Sequence, residues 1–139
     1  MAPAWWRNTV MDDIQTANQA YYDALSARDL AAMASVWDQS AEATNIAPPI
    51  RPVAHIGWPA IRGNYEQFWG SLSSLTVTMS DPVITVRGDV AWVHGIEETR
   101  RIALDGATSG GSNYGTSIFI RRDGRWWMMF HQATVIPAS

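Results

Sequence analysis

Three histidines, His55, His94 and His131, are the side chains in this sequence best suited to moving protons near neutral pH. No close-spaced ligand motif joins them, so they read as separate imidazoles and no metal site is expected. Glu97 and Glu98 follow His94 in a strand-like stretch. Alternation sends adjacent strand residues to opposite faces, so one of these glutamates enters the interior and the other meets solvent or a partner. A buried carboxylate beside an imidazole would make a water-activating or proton-shuttling pair. The sequence does not decide which glutamate turns inward, and Glu98 is carried as a reserve acid–base candidate. In the closing run, strict alternation groups Trp127, Met129 and His131 on one face, and Trp126, Met128 and Phe130 on the other. Cysteine is absent, which excludes a thiolate nucleophile, thiolate ligands and disulfides. The glycines of 106–111 lead into another strand, not into a helix, so they do not form a phosphate loop, and no cofactor is expected.

Two linked amphipathic helices are predicted to hold one side of such a site. Val10, Ile14, Ala17, Tyr21 and Leu25 form an apolar stripe behind a Thr9 cap, and Asp29 caps a second helix carrying Leu30, Met33 and Trp37. Ala41–Ile46 reads as a short strand before a proline-rich stretch with Pro48, Pro49, Pro52 and Pro59. A third helix is predicted after Gly63, with Tyr65, Phe68, Trp69 and Leu72 on one face. The remainder reads as strands: Thr76–Ser80, Pro82–Arg87, Val90–Leu104, then a loop over 105–111. A final hairpin, Asn113–Arg122 and Arg125–Ile136, turns at Asp123-Gly124. Helices followed by antiparallel strands, with no alternating βαβ units, give an α+β domain.

The 139 residues suit one domain, expected over 9–136, with an N-terminal extension 1–8 and a short tail 137–139. A hydrophobic fraction of 47% fills one core, and eight tryptophans suit a cavity wall or a subunit interface, where the indole N–H can find a partner. The net charge is −3 and the basic residues are scattered, which argues against a nucleic-acid surface. No run is apolar enough for a membrane span, and no signal-peptide pattern opens the chain, so the cytoplasm is the expected location.

Three stretches bear a family likeness. Tyr21-Tyr22-Asp23-Ala24-Leu25-Ser26-Ala27-Arg28-Asp29-Leu30, followed by Met33 and Trp37, resembles the opening of SnoaL-like domains of the nuclear transport factor two-like superfamily. His55-Ile56-Gly57-Trp58-Pro59-Ala60-Ile61-Arg62-Gly63 resembles the histidine-glycine-tryptophan and arginine-glycine region of one branch, and Phe119–Gln132 resembles its final hairpin. The likeness spans roughly Thr9 to Val135. It implies a cone-like curved mixed sheet packed against three helices, with an internal pocket and a homodimer formed through the exposed sheet face.

The resemblance also implies roles. Tyr21 falls where a steroid-isomerase-like domain has a phenol donating to an enolate, Asn45 where that enzyme has its proton-shuttling aspartate, and Thr116 near its second acidic donor. An amide cannot carry the shuttled proton, so a copy of that isomerase is not expected. His55 and Trp58 match the pocket rim. Related hairpins place histidines at the positions of Phe130, His131 and Gln132, of which this chain keeps the middle one. The expected acid–base groups are therefore His55 and His131, with Tyr21 as a hydrogen-bond donor and Glu98 in reserve. The expected ligand contacts are Tyr21, Asn45, His55, Trp58, Trp69, His94, Thr116, Trp127 and Met129. Together they point to binding of a small, largely apolar molecule, with isomerase, cyclase, dehydratase or hydrolase chemistry on a cyclic or polyketide-like compound as one outcome and a noncatalytic ligand-binding or homodimeric accessory domain as the other.

Overall fold

A computed structural model describes residues 3–47 and 54–138; the prolines Pro48, Pro49 and Pro52 lie outside them. The elements are α1 (Ala4–Ala27), α2 (Leu30–Val36), β1 (Thr44–Ile46), β2 (Ala54–Ile56), α3 (Trp58–Gly70), β3 (Leu72–Arg87), β4 (Val90–Ala103), β5 (Thr108–Arg122) and β6 (Arg125–Val135). The strands form one mixed sheet in the order β2-β1-β6-β5-β4-β3; the β1–β6 pairing is parallel and the other pairings of these strands are antiparallel. Three helices on a six-stranded sheet make the expected α+β architecture.

Helix α1 starts five residues before the predicted Thr9, behind Pro3, and the Thr9 hydroxyl donates to the Trp5 carbonyl within the helix. The stripe of Val10, Ile14, Tyr21 and Leu25 is buried as its spacing requires. Arg28 ends α1 in the left-handed region at φ 53°, and its guanidinium donates to the Leu72 and Ser73 carbonyls, which ties the helix end to β3. Asp29 caps α2 by accepting from the Ala32 N–H at 3.0 Å. Helix α3 begins at Trp58, earlier than expected, because Gly57 takes φ 85° and Pro59 fits the first helical turn. It buries Trp58, Ile61, Tyr65 and Trp69 toward the sheet.

The strand register shifts at three places among the described residues, after Leu72 and after Ser80 in β3 and opposite Ile118–Phe119 in β6. The segments expected as separate short strands are one strand, β3, interrupted at Asp81-Pro82 opposite Gly95; proline is tolerated there because β3 is an edge strand. In β6, Phe119 pairs with Met128 while Ile118 pairs with Phe130, so Met129 is the extra residue. The expected loop 105–111 is mostly strand: Gly106 at φ 88° closes the β4–β5 turn, and β5 begins at Thr108. Asp123 and Gly124 both have positive φ, as a two-residue hairpin turn demands. The core lies between the helices and the inner sheet face, around Trp37, Met33, Ile14, Ile61, Phe119 and Met128. Among the described residues no helix is long and apolar enough to cross a membrane.

Candidate functional site

The sheet carries a row of polar side chains across its inner face. Register aligns His55 on β2 with Asn45 on β1, Asn45 with His131 on β6, and His131 with Ser117 on β5. Asn45, His131 and Ser117 are almost fully buried, and His55 is the half-buried end of the row. The bulge at Met129 sets this geometry. In an unbroken alternation His131 would share a face with Trp127; with Met129 bulged out of the pairing, Trp126, Met128 and His131 all face the helices. The expected grouping of Trp127, Met129 and His131 is therefore corrected.

Glu97 on β4 completes the cluster. It is 3% exposed and accepts from the Tyr22 hydroxyl at 2.6 Å, and its Oε2 lies 3.3 Å from His131 Nε2. His131 Nδ1 lies 2.8 Å from the Ser117 hydroxyl. Burial alone would raise the Glu97 pKa. The hydrogen bond and charge of His131, with the Tyr22 and Asn113 donors, outweigh burial and hold it below the usual carboxylate range. An ionised carboxylate only accepts, so His131 Nε2 carries the hydrogen facing it and Nδ1 turns to Ser117.

Phenols form the opposite wall. The Tyr21 ring lies against the His131 ring with centroids 4.8 Å apart, and its edge meets Tyr22. Its hydroxyl faces that of Tyr65. Tyr65 also receives the Trp37 indole N–H at 3.2 Å and the Asn45 amide at 3.5 Å, and stacks on Trp69. Burial first raises the pKa of both Tyr21 and Tyr22, followed by Tyr65 and then the Glu97 charge for Tyr21 and by the Glu97 charge for Tyr22, so both stay protonated as donors. The Asn45 Oδ1 is buried without a donor.

Glu98 faces the other way and accepts from the Ser112 hydroxyl on the exposed side, so the inward carboxylate is Glu97. His94 and Thr116 pair across β4 and β5 on the outer face, where His94 bonds and stacks with Tyr114; strand alternation takes both away from the interior. Trp127 is also outward, beneath the guanidinium groups of Arg122 and Arg125. Met129 packs against the core edge, with its sulfur near the Ser40 hydroxyl. Trp58 and Trp69 are buried on α3. Tyr22, Tyr65, Glu97 and Ser117 are the members that sequence reading left out of the site. Strand parity with the apolar Val93 and Phe119 was the signal for Glu97 and Ser117.

Two concavities lie elsewhere among the described residues. A groove of about 680 Å³ runs between α1, α2 and the β5–β6 turn, lined by Ala20, Ala24, Ala32 and Arg125 among others. A hollow of about 420 Å³ sits at Asn18, Met79 and Asp81. Neither is lined by Tyr21, Trp58 or His131, which are packed into the interior. Among the described residues no three histidine, aspartate or glutamate side chains converge as a metal site.

The fold is the nuclear transport factor two-like fold. It superposes with a TM-score of 0.86 on a protein of that superfamily from Salmonella enterica, at 20% identity over 96% of this chain and 94% of the other. A protein from Streptomyces avermitilis whose name proposes a dehydratase of the same family gives 0.85 at 19% identity, covering 94% of this chain and 99% of that one. Hexachlorocyclohexane dehydrochlorinase LinA-type3 from Novosphingobium barchaimii gives 0.82 at 15% identity, covering 96% and 90%. No curated protein matches the chain significantly. The SnoaL-like domain family matches residues 14–139, and the chain belongs to it.

Proposed function

We propose that this domain is an acid–base enzyme, an isomerase or lyase that moves a proton on a small, largely apolar cyclic molecule. The observation that carries this reading is the buried, ionised Glu97 hydrogen-bonded to His131 and Tyr22. With Nε2–H held by Glu97, the basic site of the imidazole is Nδ1. Substrate gives its proton to Nδ1 directly or through the Ser117 hydroxyl, and the Glu97 charge stabilises the imidazolium. The protonated phenols of Tyr21 and Tyr65 meet the negative charge that develops on a substrate oxygen. Asn45 Oδ1 offers an acceptor to a substrate hydroxyl. His55, at the open end of the polar row, is a second proton carrier. On this reading a ligand has to enter along the inner face of β4 and β5 beyond Glu97. There Thr99 and Asn113 are half-buried, and a side chain added at Gly111 would meet nothing within 4 Å. Elimination and isomerisation both begin with this proton removal, and the dehydrochlorinase among the structural neighbours is named for an elimination.

The test needs no knowledge of the product. In D2O, a panel of cyclic ketones and β-hydroxy ketones is expected to gain deuterium beside the carbonyl in a protein-dependent way, read by NMR. In His131→Asn that rate is expected to fall about 100-fold or more, while Glu98→Gln keeps it. No protein-dependent exchange across the panel, or an unchanged rate in His131→Asn, rejects the reading.

A second copy of the chain is the proposed partner for the outer sheet face. Val83, Val90, Trp92, Ile96 and Tyr114 are 36–51% exposed there, an apolar surface larger than scattered single residues would give. Light scattering is expected to give twice the 15.4 kDa chain mass for the parent. Ile96→Glu is expected to bring that mass down to a single chain with the circular dichroism retained. A monomeric parent at all concentrations refutes the dimer.

A further inference from the structure

We propose that Arg101 is the anchor for an anionic group, and hence that the molecule handled by the Glu97–His131 pair carries a carboxylate at the end remote from the reacting carbon. The inference rests on the acid–base reading for the second half of that statement, but the anchor itself stands on separate observations.

Strand parity is the first. Along β4 the inward positions are Ala91, Val93, Gly95, Glu97, Thr99 and Arg101, so the guanidinium belongs to the same face as the Glu97 carboxylate. A rise of roughly 3.3 Å per residue separates their Cα atoms by about 13 Å, which a small ring system with one substituent can span. The positions between them are small or polar. Thr99 and Asn113 are half-buried, and Gly111, paired with Thr99, leaves open space.

The second observation is the state of Arg101 itself. Its Nε is buried and has no hydrogen-bond partner. Among the described residues the ion pairs are Arg62–Glu66, Arg121–Asp89, Arg122–Asp38 and His131–Glu97, so no carboxylate there neutralises Arg101. Its register partners, Leu75 on β3 and Ser109 on β5, carry no negative charge. A half-buried arginine with an unmet buried Nε–H donor is costly unless something accepts from it. A carboxylate matches its planar fork with two parallel hydrogen bonds, whereas a neutral apolar ligand satisfies neither the donor nor the charge. The geometry is also economical for catalysis. An anchored anion fixes the distance from Arg101 to the reacting carbon and keeps the ligand's own negative charge away from ionised Glu97.

The experiment compares 2-naphthoate with its neutral amide, 2-naphthamide, binding to the full chain by quenching of tryptophan fluorescence. The parent is expected to bind naphthoate about 10-fold or more tightly than the amide, with the preference weakening at high salt. In Arg101→Gln the preference is expected to vanish through loss of naphthoate affinity, and in Arg101→Lys to return in part. Equal affinity for both probes in the parent, or a full preference surviving in Arg101→Gln, overturns the anchor. Lysine keeps the charge, so the series remains decisive if the glutamine variant folds poorly. The deuterium-exchange assay separates this proposal from the catalytic one. Exchange without a naphthoate preference removes the anchor alone, whereas an Arg101-dependent preference without exchange upholds the anchor and removes the catalysis.

Discussion

Replacing Glu97 with alanine is expected to cost about 3–5 kcal/mol of stability and to abolish proton exchange. The carboxylate is the acceptor for both Tyr22 and His131 Nε2, so its loss removes the carboxylate acceptor of a buried phenol and of one nitrogen of a buried imidazole. Urea midpoints measure the cost. Glu97→Gln separates charge from shape: the amide fills the space but cannot stabilise an imidazolium, so exchange should fail more completely than folding. The pH dependence has a defined sign. The folded-state pKa of Glu97 is lowered, so the carboxylate contributes its stability above the unfolded carboxylate range. That stability is lost as pH falls through the lower folded value. Asp38 has the same sign: burial opposes ionisation, but hydrogen bonds from Ser40 and Arg122 and the Arg122 charge prevail. The difference between parent and Glu97→Gln therefore isolates Glu97. An acid limb of equal size in both proteins would show that the carboxylate is not held ionised by its partners.

Gly115→Ala is expected to disrupt the same pair from across the sheet. A Cβ at this position would lie 2.6 Å from the Glu97 carboxyl carbon and 2.7 Å from Oε2, so the carboxylate must leave its place. The expected cost is about 1–3 kcal/mol, with a drop in exchange because Glu97 no longer aligns His131. Gly111→Ala is the control, since its Cβ meets nothing within 4 Å, and its stability should change by less than about 0.5 kcal/mol. If both glycine variants have the same urea midpoint, the packing of Glu97 against Gly115 is not what fixes the pair.

Much of the architecture was legible in the sequence because periodicity reports burial. The α1 stripe, the Asp29 cap and the Asp123-Gly124 turn each follow from local chemistry, and each is present. The starts of α1 and α3 were misplaced where the backbone needed no side-chain cap, at Pro3 and Gly57. The site was harder to read. His131 and Tyr21 were chosen for their chemistry and do meet, yet their partners come from β4 and β5, at sequence separations that alternation cannot phase by itself. Two adjacent glutamates are indistinguishable until one neighbour of known parity is fixed. His94 and Thr116 were assigned to an interior that their own strand parity denies them. Trp127 and Met129 were misassigned for a different reason, because one extra residue in β6 changes phase in the middle of the run.

That extra residue makes β6 a strand with two reading frames. Ahead of Met129 the even-numbered residues turn inward, and beyond Phe130 the odd-numbered ones do. Pairing every residue of the strand in unbroken alternation would leave its amino-acid composition untouched. It would exchange inside for outside along one half of the strand, either sending His131 into solvent or bringing the Arg125 side toward the core. A relative lacking the insertion must therefore be matched to this chain with a one-residue gap at 129. Without that gap, an identical histidine in the two sequences would stand on opposite sides of the sheet, and the likeness of letters would conceal a difference of chemistry.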